Sequence, residues 1–282
     1  MRQILITLLV LCSALSQAQL TVPTLSPFSK INQEIGLTEI TLTYARPSAK
    51  GRTIYGKLVP FDEVWRTGAN ASTKFTFTED VKIAGNDLKA GTYALYTIPG
   101  KDNWTIIIHN NIKLRSIAGD AYKKENDAFR FTVKASPTNP YVETFTIQFT
   151  DLHTKGLSVA LSWANTMVKF PIEVEVDAKI ESQMTALLKN ESEIKHGTFF
   201  RAAEYYLHNN KDLKTALNWI DKALILSEEN FRYGLLKAKI QFKSGDKNAA
   251  MITIKEANKW ATEKKNSNYI GQTSLFMKEM QD

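Results

Sequence analysis

The chain has 282 residues, 43% of them hydrophobic and 23% charged, and a formal charge of +7. That length can build one or two ordinary cores without covalent staples, and the single cysteine, Cys12, excludes a disulfide framework or a thiolate metal site. The positive excess is spread evenly, 18 Lys/Arg against 15 Asp/Glu over residues 21–176 and 17 against 14 over 177–282, so neither half carries the gathered basic face of a nucleic-acid binder.

The first element is a leader. Met-Arg-Gln precedes an apolar run from Ile4 to Leu15, and Ser16-Gln17-Ala18 offers small side chains at both positions a signal peptidase reads. The run is too short for about 30 Å of hydrocarbon. It predicts a signal peptide over residues 1–18, cleavage after Ala18, loss of Cys12 with it, and a mature protein in the periplasm or outside the cell. No later stretch has the length of a membrane span.

Residues 38–176 read as strands. Thr38–Tyr44, Lys74–Thr78, Phe129–Val133, Thr144–Phe149, Leu157–Trp163 and Phe170–Val176 alternate apolar with polar, the period of half-buried strands. Val81–Ile83, Tyr93–Ile98 and Trp104–Ile108 are more continuously apolar, which places them centrally. Gly85-Asn86-Asp87, Pro99-Gly100-Lys101-Asp102 and Ser136-Pro137-Thr138-Asn139-Pro140 read as turns. Roughly nine or ten short strands predict an antiparallel sandwich or barrel over residues 19–176.

After Asp177 the texture becomes helical, with no proline beyond Pro171. Ile180, Met184, Leu187 and Leu188 recur at helical spacing, as do Phe199, Ala202, Ala203 and Tyr206. "KDLKTALNWIDKALIL" from Lys211 and "GDKNAAMITIKEANKW" from Gly245 align Asp212 with Asp246, Ala216 with Ala250 and Ala223 with Ala257. A spacing of about 34 residues is that of tetratricopeptide repeats, in which small residues let two helices approach. Two such repeats are expected at 197–230 and 231–264, with a capping helix from Tyr269 to Met280, although Glu204 and Leu207 depart from the pattern. The fold class is therefore α+β as two domains, a β-sandwich followed by an all-α helical-hairpin domain over 177–282.

Gly51, four residues, then Gly56-Lys57 nearly spells a phosphate-binding loop. Leu58 stands where that loop needs a hydroxyl, Pro60 blocks the helix that should follow, and the surroundings are antiparallel. A nucleotide site is not expected here.

The same stretch carries a resemblance. Tyr44-Ala45-Arg46-Pro47, Gly51-Arg52, Ile54-Tyr55-Gly56, Leu58-Val59-Pro60, Val64-Trp65-Arg66-Thr67-Gly68-Ala69-Asn70, Ala90-Gly91-Thr92-Tyr93 and Ile98-Pro99-Gly100 resemble a bacterial envelope family known only as domain of unknown function 2911, over about residues 26–175. The resemblance implies a signal peptide, a β-sandwich and often a helical-repeat tail, and no established activity. Asn110 to Asp127 departs from the family's pattern.

Arg46, Lys50, Arg52 and Lys57 lie close together without an acid, and Tyr55, Trp65, Arg66 and Asn70 follow. Guanidinium forks beside aromatic faces suit a small anionic or glycan ligand, which makes Arg46, Arg52, Tyr55, Trp65, Arg66 and Asn70 the candidate ligand residues. The competing reading has Arg52 and Arg66 paired with Asp62 or Glu63 and Trp65 plugging the core. Asp62 and Glu63, adjacent on an extended chain, would point to opposite faces and cannot flank one glycosidic bond. His109, His153, His196 and His208 have no metal-ligand spacing, and neither metal nor cofactor is expected. In the tail, Arg232, Lys239 and Lys243 fall on one helix face. They are either a clamp for an acidic peptide or its C-terminal carboxylate, or a solvated charged face. These features favour a non-enzymatic binding or scaffolding protein with a protein partner on its repeats. The alternative is a hydrolase of glycans or esters using His109 with Asp62 or Glu63.

Overall fold

The computed structural model describes residues 22–114, 117 and 121–281; the expected leader over residues 1–18, with Cys12, lies outside the described residues. The described residues form ten strands followed by six helices, so the chain is α+β in two parts. Two compact units meet at the boundary between Val176 and Asp177.

In the first unit β1 (Phe28–Ile35), β2 (Thr38–Ala45), β3 (Thr73–Phe77), β6 (Gly91–Pro99), β7 (Asn103–His109) and β8 (Asp127–Lys134) make one sheet, in the order β1-β2-β3-β6-β7-β8. The second sheet has the order β5-β4-β10-β9, from β4 (Val81–Ile83), β5 (Asn86–Leu88), β9 (Ser136–His153) and β10 (Gly156–Val174). The pairs within both sheets are antiparallel. Alternation aims Ile40, Leu42, Phe75, Phe77, Leu95, Ile106 and Ile108 inward from the first sheet, against Phe145, Ile147, Leu161, Phe170 and Ile172 of the second, all essentially inaccessible. Ring contacts between Phe75 and Phe149 at 6.5 Å, and between Phe131 and Phe170 at 5.5 Å, join the layers, as in face-to-face sheet packing.

The strands differ from their sequence signals in three places. β1 escapes the alternation reading because, as an edge strand, it buries only Ile35 fully. Asn86-Asp87, read as turn, begins the short strand β5. Ser136–Pro140 also reads as a turn, yet Ser136 and Pro137 pair with Met167 and Thr166. The segments 157–163 and 170–176 fall mostly within one continuous extended element, β10, but they are its two arms: the chain reverses around Ala164, φ +53°, and Val174 donates back to Lys155 O at 2.9 Å. A left-handed residue at such a reversal is ordinary hairpin geometry. The continuous apolarity of β6 and β7 has a direct cause. Their outward residues Ala94, Tyr96 and Ile107 are as buried as the inward ones, covered by Ile112, Leu114 and Tyr122, and a strand covered on both faces has no polar side to show.

The second unit consists of α1 (Asp177–Leu187), α2 (His196–His208), α3 (Leu213–Leu226), α4 (Phe231–Lys243), α5 (Lys247–Glu263) and α6 (Ser267–Glu279). The residues that repeat at constant spacing have matching roles. Asp212 and Asp246 cap α3 and α5 by accepting from main-chain amides. Ala216, Ala223, Ala250 and Ala257 are fully buried. Helix α4 serves two cores, placing Tyr233, Leu236 and Ile240 in one and Leu235 and Ala238 in the other.

Gly234 shows how close these helices lie. A Cβ there would meet Ala257 Cβ at 2.8 Å and Trp260 Cζ3 at 3.0 Å. In an open helix Gly→Ala gains roughly 0.8–1 kcal/mol. Here overpacking reverses the sign, and Gly234→Ala should destabilise the helical unit by about 1–3 kcal/mol. Denaturant unfolding followed by far-UV circular dichroism checks this, and a stabilised variant would refute the close approach.

Candidate ligand-binding site

The site is built by the connection between β2 and β3, residues 46–72. Its first stretch closes the edge of β9, the outermost strand of its sheet. Phe145 donates its amide to Pro47 O at 2.8 Å and Ala49 donates to Glu143 O at 2.8 Å. Arg46 gives Nε to Phe145 O at 3.2 Å and Nη2 to Thr146 Oγ1 at 2.7 Å. Just before it, Tyr44 Oη accepts from Ile147 N at 3.0 Å and lies 3.3 Å from Ile147 O, to which it donates. Main-chain groups on an edge are thereby satisfied across the two layers.

The glycine-lysine segment comes next. Gly56 donates to Val59 O at 2.8 Å, Lys57 to Ile54 O at 3.3 Å, Leu58 to Thr53 O at 3.3 Å and Val59 to Ile54 O at 2.9 Å. The amides a phosphate would need are spent inside the turn, and no helix follows Lys57. Gly56, at φ +82°, is required, because a Cβ would sit 2.6 Å from the Phe61 ring.

The third stretch takes the place of β3 along β6. β3 begins at Thr73, opposite Leu95. Beyond it, Trp65 exchanges both main-chain bonds with Thr97, at 2.7 and 3.0 Å, and Asp62 donates to Pro99 O at 2.8 Å. Residues 67–72 loop out between these two pieces. Thr67 is fully buried, with Oγ1 3.1 Å from Thr97 Oγ1 and its carbonyl accepting from Thr73 Oγ1. Gly68, at φ +145°, would place a Cβ 3.0 Å from Ala45 O, and its own carbonyl accepts from Trp65 Nε1 at 3.2 Å. Lys50, Asp62, Thr67 and Asn70 all adopt left-handed φ between 49° and 63°. Asp62 is therefore in a turn and not on the extended chain its sequence suggested.

The Trp65 ring is 9% exposed and sits 5.1 Å from Phe145 and 5.9 Å from Trp163, nearly parallel to the latter. Tyr55 packs edge-on to Trp104 at 4.9 Å. Burial pushes the Tyr55 hydroxyl far above the ordinary phenol value.

In front of this plug lies a cavity of about 640 Å³, within the range of small-molecule sites. Arg52, Trp65, Arg66 and Asn70 line it together. Arg46 and Tyr55 do not: one is bonded to β9 and the other belongs to the aromatic plug. Arg52 donates to Ser48 O and Ala49 O at 2.7 and 2.9 Å, and Arg66 Nη1 donates to Asn70 O at 2.8 Å. Lys50, Leu25 and Leu58 also line the cavity. Leu58 belongs to the same loop, in its Leu58-Val59-Pro60 motif, though nothing in the sequence marked it as a ligand residue. Leu25 precedes the first strand and reaches the cavity only through the fold.

His109 lies elsewhere. It pairs with Ala94, five residues along β7 from Trp104, which pairs with Pro99 near Asp62. That is about 17 Å of strand. His109 is fully buried between Tyr96 and Tyr122, each 5.2 Å away. Its Nδ1 accepts from Asn111 N at 3.0 Å, and its Nε2 lies 3.3 Å from Lys123 O, to which it donates. His109, Asp62 and Glu63 are not brought together. Among the described residues no group of three His, Cys, Asp or Glu is placed to hold a metal ion, and no helix is long and apolar enough to cross a membrane.

In the helical unit, Arg232 and Lys239 line a hollow of about 140 Å³ with Glu204, His208 and Tyr269. The guanidinium of Arg232 stacks 4.3 Å from the Phe200 ring. Lys243 is not part of it. Its Nζ donates to Leu207 O at 3.0 Å and Asn210 Oδ1 at 2.6 Å, where it closes the C-terminal end of α2.

Residues 26–172 match the model of a family described as a protein of unknown function (DUF2911), and the chain belongs to that family. No curated protein matches it.

The pH dependence of the plug follows from Tyr55. Its phenol stays protonated in the folded chain and ionises near its ordinary value, about 10, once unfolded. Stability is therefore unaffected by this group below about pH 10 and falls as pH rises above it. Tyr55→Phe should raise the pH of alkaline unfolding, read by tryptophan fluorescence. Buried Tyr96 and half-buried Tyr122, whose hydroxyls are also shifted upward, should keep part of the alkaline limb.

Proposed function

We propose that this family member is an exported binding or scaffolding module of the bacterial envelope, without catalytic activity of its own. Its sandwich unit takes a small anionic ligand in the cavity beside Trp65 and Arg66. Its tail, read as a pair of tetratricopeptide-like repeats, docks a protein partner.

One observation carries the ligand half of this reading. Four residues singled out for their chemistry, Arg52, Trp65, Arg66 and Asn70, line the same cavity, on a loop whose main chain is bonded at both ends to the sandwich. A site held that way presents its donors already in place, which lowers the ordering cost of binding. The hydrolase reading loses support from the geometry, because the imidazole it needs has both nitrogens engaged in a buried core. For the tail, the hollow under Arg232 and Lys239 draws on α2 and α4, the first helices of the two hairpins, and on the capping helix α6. Export rests on the leader, and N-terminal sequencing of protein recovered from the envelope should find Gln19 as the first residue.

The binding reading is tested by thermal unfolding against small carboxylates and phosphates, run beside chromogenic esters and glycosides. A ligand at a hundredfold excess over its Kd adds about 2.7 kcal/mol, and Arg66→Gln should remove that gain. Turnover of an ester or glycoside that His109→Ala abolishes would replace this reading with the hydrolase.

A further inference from the structure

Resting on the cavity as the ligand site, we infer that its occupant is an anionic amphiphile: one alkyl chain ending in a carboxylate or phosphate. The wall has two chemistries. Leu25 and Leu58 are 85% and 45% exposed, and both face the cavity. Single exposed leucines are unremarkable, but two lining one cavity offer apolar area that a ligand can cover. Val59, Val64 and Trp65 add to the apolar part of the lining. Beside it stand Lys50, Arg52 and Arg66; Glu63 is the one carboxylate of the lining, and Glu143, outside it, accepts from the Lys50 amide at 2.7 Å. Arg52 is held by two main-chain carbonyls, which fix its position without supplying a counter-charge.

A sugar fits this wall poorly. Saccharide recognition wants an open ring face, and the aromatics here have none to offer. Trp65 is packed against Phe145 and Trp163, Trp163 is 1% exposed, and Tyr55 is not part of the lining. An alkyl chain asks only for apolar area, and a charged head asks for a cluster of donors such as Arg52 and Lys50 supply.

The test is calorimetry of the full processed chain with octanoate, decanoate and dodecanoate below their micelle concentrations. Decyl phosphate, decanol, inorganic phosphate and glucuronate run alongside. One-to-one binding should tighten about three- to fourfold per added methylene. Decanoate and decyl phosphate should both bind, distinguishing a required anion from a required head group, and decanol should bind at least tenfold more weakly. Leu58→Gln, at an exposed position, should flatten the chain-length series with an unchanged circular dichroism spectrum. Lys50→Gln should weaken the anions several-fold and leave decanol alone. If glucuronate or phosphate binds as tightly as decanoate, or the series is flat, the amphiphile is wrong and the anion site survives. Many-site uptake insensitive to Leu58→Gln also refutes the amphiphile. If no anion binds, the cavity is not a ligand site and both readings fall.

Discussion

Every sheet in a sandwich ends in strands with one row of amides and carbonyls unpaired, and those groups cannot be left both dry and unbonded. In this chain the β2–β3 connection meets that requirement twice. Residues 44–49 pair with β9 of the opposite sheet, and residues 62–65 extend along β6 where β3 has not yet begun. One segment thereby ties two layers together and carries a tryptophan into the gap between them.

The cavity is a by-product of that solution. Because the strand partner of β6 is interrupted, residues 67–72 must leave the sheet and return. They leave a wall built from Gly68, Ala69 and Asn70. Several non-glycine residues of the connection hold left-handed φ, a conformation that costs energy and persists only where surrounding bonds over-determine it. Here those bonds are visible: Thr67 is fixed by Thr97 and Thr73, and Arg66 by the Asn70 carbonyl.

The sequence disclosed the elements whose chemistry is local. Alternation marked the strands with one dry face, and the constant spacing of Asp212 with Asp246, and of the paired alanines, marked the hairpins. It concealed what depends on partners far along the chain. β1 has a weak pattern because it lies at a sheet edge, and Asn86-Asp87 has turn chemistry while also pairing with β4. The site was legible as a neighbourhood, since Arg52, Trp65, Arg66 and Asn70 share one loop. Leu25 reaches the same cavity only through the fold. Lys243 illustrates the opposite limit. Helical offset puts it on the face of Arg232 and Lys239, but periodicity says nothing of position along the axis, and at the end of α4 it meets the terminus of α2 instead.

The placement of β10 has a mechanical side. The chain leaves the sandwich through the returning arm of this element, which is paired with β4 at Ile172–Val174 on one side and bonded back to the outgoing arm, where Val174 donates to Lys155 O, on the other. Tension applied beyond Val176 enters this interior arm along its axis, where the bonds on either side share the load in shear. An edge strand would peel, breaking one bond at a time. A protein whose tail is pulled from outside would therefore yield late and all at once, and its sandwich would act as an anchor.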